Sequence, residues 1–137
     1  QLRIANDAKI LGDEAKTLIA TAVRNKTLVD TEVCYLSDAN NQVDLTALMA
    51  ELATREVNEV MVEAGAVLNG ALLQAGLIDE LVIYMAPKIM GDTARGIFHM
   101  PGLTTMAENV DLEISDIRAV GSDWRITARP KYNEEAK

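Results

Sequence analysis

The stretch from Val60 to Ala86 leaves this chain few folds to choose from. Val60-Met61-Val62 is a short apolar run without alternation, the pattern of a strand covered on both faces. Glu63-Ala64-Gly65 breaks it. A helix is expected next, with Val67, Leu68, Ala71, Leu72 and Ala75 on one side and Gly76 as its stop. Leu81-Val82-Ile83-Tyr84-Met85-Ala86 then reads as the strongest strand of the chain, closed by Pro87. Strand, helix and strand in that order put the helix on a face of the sheet.

The flanks fit the same class. Gln1 to Lys16 is mixed and reads mostly as loop. Thr17 to Ala22 is partly β-branched and bounded by Lys16 and Arg24-Asn25-Lys26, which marks a strand. Glu32 to Leu36 reads as another, ending in the turn-forming Ser37-Asp38-Ala39-Asn40-Asn41. Asp44 stands at a helix-cap position, and Leu45, Leu48, Met49 and Leu52 follow at helical spacing. Lys88 to Thr105 holds Gly and Pro and little periodicity, so a long loop is expected. Val110, Leu112 and Ile114 alternate with polar residues, Gly121-Ser122 turns the chain, and Trp124, Ile126 and Ala128 complete an antiparallel hairpin. The sum is α/β: three layers, a mixed sheet with helices on both faces, and a C-terminal antiparallel hairpin.

Charge narrows the partners. Among 137 residues the formal net charge is −8, with no basic run to offset it, which argues against DNA, RNA or an anionic membrane as a partner. No apolar run approaches the roughly 20 residues of a membrane span. Cys34 and His99 are each the sole residue of their type. An internal disulfide is therefore ruled out, a protein-built zinc site is not expected, and the cytoplasm is the simplest compartment.

Ligands of α/β folds gather at the carboxyl ends of strands, which points to Glu63 and the glycine bend after it. Free amides at a helix start attract an anion, and Gly65 lets one approach the backbone closely. Glu63, just upstream, suits the hydroxyl or amine donors of a substrate. The segment thus has an anion-accepting half and a donor-accepting half. Glycines at such a turn also serve packing alone, and Glu63 also suits a turn cap. Gly65 and Gly70 match neither a Walker loop, since Ala71-Leu72 stand where Lys and Ser or Thr are needed, nor a dinucleotide fingerprint.

Val62-Glu63-Ala64-Gly65 with Leu68, then Gly70 through Leu81, then Tyr84-Met85-Ala86-Pro87-Lys88 and Gly91, resemble one family. It is the reductase half of the bacterial bifunctional riboflavin-biosynthesis deaminase–reductase. Gln1-Leu2-Arg3-Ile4 and Ala8-Lys9-Ile10-Leu11 resemble a segment after an early strand of that reductase. The resemblance implies a dihydrofolate-reductase-like fold, NADPH as hydride donor, and 5-amino-6-(5-phosphoribosylamino)uracil as substrate, its ribosyl group reduced to ribityl. It implies a homodimer. By position it makes Glu63 a substrate contact and Gly65, Ala66, Val67, Leu68, Asn69, Gly70 and Ala71 the segment holding the dinucleotide. Residues 1–137 would then be the C-terminal part of a reductase domain, without the strands that normally precede it and without the deaminase half. The zinc signature of that half has no counterpart here, so deamination is not expected.

Other residues carry less. Asp79-Glu80, adjacent at a strand entry, would point to opposite faces, which favours a structural role. Lys88, near the end of the strongest strand, could reach a phosphate and reads at least as readily as a solvated lysine. His99 lies in the long loop where a general acid could sit, though a single exposed histidine is usually only surface. Trp124 reads as a core or interface anchor, and none of the three is assigned a catalytic role. A contrasting possibility is a non-catalytic assembly domain that self-associates through an exposed sheet edge and binds no cofactor.

Overall fold

The computed structural model describes residues 4, 5, 7–12, 15–24 and 31–132. Gln1 to Arg3 and Asn25-Lys26 lie outside them. The chain divides into two compact units, Gln1–Val60 and Met61–Lys137.

In the first unit, a 3-10 turn at Lys9–Leu11 precedes strand β1, Leu18–Thr21. β1 pairs in parallel with β2, Glu32–Tyr35, in the register Ile19 to Val33 and Ala20 to Cys34. The turn after β2 is closed by Asp38, whose Oδ1 accepts from the N–H groups of Asn40 and Gln42 at 2.8 Å each. Helix α1, Leu45–Thr54, starts where the cap was expected: Asp44 Oδ1 accepts from the Ala47 N–H at 2.9 Å. Near its end Arg55 reaches both Glu51 and Glu32 at 2.7 Å, and the second of these contacts ties the helix to β2. That guanidinium holds the Glu32 carboxyl below the usual carboxylate range.

The exit from α1 is a finding that composition does not announce. Val57 N–H donates to Leu52 and Glu56 N–H to Ala53, the paired bonds of a Schellman cap, with Glu56 at φ 62°. A side chain in that left-handed region costs about 1–2 kcal/mol that glycine avoids. Glu56→Gly is therefore expected to stabilise the chain by about 1 kcal/mol, read as a rise in denaturation midpoint. A drop would mean that the Glu56 side chain contributes more than its backbone costs.

In the second unit, helix α2 spans Ala66–Gln74 and ends in the same motif, here with Gly76 at φ 67° as expected: Leu77 N–H donates to Leu72 and Gly76 N–H to Leu73. Strand β3, Leu81–Met85, pairs antiparallel with β5, Asp123–Lys131, and β5 pairs antiparallel with β4, Asp111–Val120. The β4–β5 hairpin turns at Gly121-Ser122 with Gly121 at φ 62°. A bulge at Ser115 shifts the β4 register. Tyr132 fastens the end of β5 to the exit of α2, donating to the Ile78 carbonyl at 3.0 Å and accepting from the Ile78 N–H.

The fold is thus mixed α/β, with parallel and antiparallel pairing and a C-terminal hairpin. Among the described residues the pairing lies in two sheets, β1-β2 and β3-β5-β4. Two local expectations are corrected. Val60-Met61-Val62 is not a strand; the run is exposed and has no ladder partner among the described residues. Apolar composition makes a strand possible, but only a neighbouring ladder makes it one. On α2 the buried positions are Gly70, Leu72 and Leu73, whereas Val67 and Leu68 are exposed and so is Ala75. That helix is apolar nearly all round, so spacing alone could not choose its inner face.

Candidate functional site

The bend before α2 is built from backbone. Gly65 is the N-cap, with φ −83° and ψ 169°, and no side chain caps the helix. The conformation is open to any residue, so what distinguishes Gly65 is its missing Cβ: a Cβ built there would have no atom within 4 Å. The first bond of the helix runs from Asn69 N–H to the Gly65 carbonyl at 3.1 Å. Ahead of it, the N–H groups of Ala66, Val67 and Leu68 have no acceptor among the described residues. Three open donors at the positive end of a helix dipole can bind an anion. Glu63 is exposed, and its carboxylate makes no hydrogen bond or ion pair among the described residues. It does not cap the turn.

The second half of the expected segment does something else. A Cβ on Gly70 would fall onto the carbonyl oxygen of His99 and lie 3.0 Å from its carbonyl carbon. The loop after β3 is seated here, and it uses glycine to do so. His99 N–H donates to the Ala66 carbonyl at 2.9 Å. The Asn69 side-chain amide donates to the Ile97 carbonyl at 3.1 Å and to the Ala64 carbonyl at 3.4 Å. The packing role for a glycine at this turn therefore applies to Gly70. Ala71, on the same stretch, is half-buried.

The loop segment 97–99 is what sequence reasoning missed. Its contribution comes from main-chain atoms, and these leave no mark in residue type. One signal was available: a glycine inside a helix costs about 1 kcal/mol against alanine and calls for a close neighbour. Asp79, Glu80 and Lys88 are exposed beside β3, and the His99 ring is exposed although its backbone is engaged. Trp124 is half-exposed on β5. Cys34 is half-buried in β2, which pushes its thiol up. Among the described residues no three His, Cys, Asp or Glu side chains gather to hold a metal ion, and no helix is long and apolar enough to cross a membrane.

Fold and bend together define an α/β domain whose second helix starts uncapped beside an exposed carboxylate that has no partner among the described residues. The chain belongs to the family described as the RibD C-terminal domain, which matches residues 1–126. It is 44% identical over 88 residues to the riboflavin biosynthesis protein RibD of Escherichia coli, a match covering 64% of this chain and 24% of that protein. It is 36% identical over 94 residues to a protein of Buchnera aphidicola named 5-amino-6-(5-phosphoribosylamino)uracil reductase, covering 69% of this chain and 45% of that one. Among solved structures, Acinetobacter baumannii RibD superposes with a TM-score of 0.78 at 26% identity, covering 96% of this chain and 36% of the other. The chain spans about a quarter of the length of the curated relatives it matches first.

Proposed function

We propose that this chain is the reductase part of a riboflavin-biosynthesis protein. In this reading it serves the NADPH-dependent reduction of 5-amino-6-(5-phosphoribosylamino)uracil to the ribitylamino product. The observation that carries the reading is the uncapped start of α2: three free amides behind a glycine with open space beside it, a fit for a phosphate group of the dinucleotide. When bound, NADPH supplies the hydride that reduces the sugar carbon. Gly65, Ala66, Val67 and Leu68 hold the anion, while Asn69, Gly70 and Ala71 keep the bend in shape. Glu63 accepts hydrogen bonds from substrate hydroxyl or amine groups and so aligns the sugar with the cofactor. A cytoplasmic location goes with this chemistry and with a lone reduced thiol at Cys34.

A homodimer is the second part of the proposal. On one face of the three-stranded sheet, register brings together Leu81, Ile83 and Met85 of β3, Trp124 and Ile126 of β5, and Ile114 and Ile117 of β4. Met85, Ile114 and Ile117 are each just over half exposed, so this apolar face suits a covering partner.

One preparation of the full-length protein tests both parts. Consumption of NADPH that depends on the phosphorylated pyrimidine is expected, with sedimentation at twice the chain mass. In Glu63→Gln, KM for the pyrimidine should rise about tenfold or more while the affinity for NADPH holds, as for a lost charged hydrogen bond. A dimer that neither binds nor consumes NADPH would instead favour the assembly-domain reading.

A further inference from the structure

We propose that Asn69 is a positioning residue. Its side-chain amide latches the loop segment 97–99 across the bend and so sets the mouth of the anion-accepting helix start. The inference rests on the NADPH reading and adds a residue that acts on the cofactor without touching it.

One side-chain nitrogen spans two carbonyls from different parts of the chain, Ala64 before the helix and Ile97 in the loop. An Nδ2 group has two protons, and this geometry gives each an acceptor. The same loop is held a second time by His99 N–H on the Ala66 carbonyl, in the first turn of α2. It is fitted a third time against Gly70, where no side chain could stand. These three contacts fix both sides of the bend: Ala64 lies upstream of the free amides, Ala66 carries one of them, and the loop runs alongside. With its amide committed to carbonyls, Asn69 has no remaining donor for a ligand. Its influence on an anion at Ala66–Leu68 must therefore pass through the position of Ala64 and of the loop.

Elsewhere between Ala86 and Thr105, the backbone bonds among described residues close local turns, such as Lys88 to Ala86, Ala94 to Gly91 and Leu103 to Met100. The tie at Asn69, His99 and Gly70 is what anchors this long segment to a helix. Loss of the latch should free the loop and blur the bend while the sheet stays intact.

The test uses the full-length protein and its Asn69→Ala and Asn69→Gln variants, read by amide hydrogen exchange and by NADPH titration. In Asn69→Ala, exchange at the His99 amide should speed up at least tenfold while the β3, β4 and β5 amides keep their rates, and the Kd for NADPH should rise about tenfold. Asn69→Gln, which retains the amide, should recover part of both changes. Unchanged His99 exchange with weaker binding would mean that Asn69 touches the ligand directly, and would overturn the proposal. Faster exchange with unchanged Kd would overturn it as well, by showing that the loop does not shape the mouth. Uniformly faster exchange across the sheet would reduce Asn69 to a general stability residue and overturn the proposal too. A wild-type protein that fails to bind NADPH would overturn the reductase reading and this inference together, whereas equal binding by wild type and Asn69→Ala would overturn this inference alone.

Discussion

Gly65→Asp is expected to make the protein more stable and, at the same time, nearly unable to bind NADPH. Gly65 stands at the N-cap with φ −83° and ψ 169°, values that aspartate adopts readily at such positions. Its carboxylate would accept from one or two of the amides of Ala66, Val67 and Leu68 and place a negative charge at the positive end of α2. No atom lies within 4 Å of the new Cβ, so no clash offsets that gain. The expected stabilisation is about 0.5–1 kcal/mol, a few tenths from the side-chain cap relative to glycine and the rest from the charge at the helix dipole, a rise in Tm of about 2–3 °C for a domain of this size. Binding moves the other way, because the donors a phosphate needs are taken and the cap repels it. A loss of about a hundredfold is expected, from charge-assisted bonds worth roughly 1.5–3 kcal/mol each. Thermal melting and calorimetric titration of one variant read both effects. If binding persisted while stability rose, the amides would be a capped helix start and not the anion site.

Gly70→Ala should do the reverse to stability. In an exposed helix the change would gain about 1 kcal/mol from helix propensity. Here the added methyl meets the His99 backbone, which is main chain on both sides and cannot rotate away as a side-chain tip would. Overpacking of that kind costs about 1–3 kcal/mol, and displacement of the loop would also break the bond from His99 N–H to Ala66 and those from Asn69. The losses outweigh the propensity gain. A net destabilisation of about 2 kcal/mol is expected, lowering Tm by about 7 °C, with weaker NADPH binding caused by the disturbed bend. A more stable Gly70→Ala variant would show that the 97–99 segment is not seated on α2 as described. Substitutions at two glycines five residues apart thus move stability in opposite directions while both weaken binding, one glycine guarding open space and one guarding a contact.

Much of the fold was readable because its boundaries rest on local chemistry. Asp44 caps α1, Gly76 ends α2 and Gly121 turns the hairpin, each for a reason confined to a few neighbouring atoms. The strand Leu81–Met85 and the alternation in β4 and β5 were visible for the same reason. What failed depended on distant partners. Val60-Met61-Val62 has a strand's composition and no ladder, and the inner face of α2 is chosen by contacts its own letters do not contain. Glu56 at positive φ and the bulge at Ser115 are likewise set by the path of the chain, not by residue preference. At the site, the helix start after Gly65 was foreseeable from its glycine bend. The split between Gly65 and Gly70 was not, because it turns on the main chain of His99.

Cofactor binding, as proposed, depends on the three free amides of Ala66, Val67 and Leu68. Their proton and nitrogen chemical shifts, followed while NADPH is titrated into the full-length protein, test it most directly. Saturable downfield shifts concentrated on those three amides, and absent in Gly65→Asp, are the expected result. Saturation with the three amides unmoved, or no saturation at all, would contradict it.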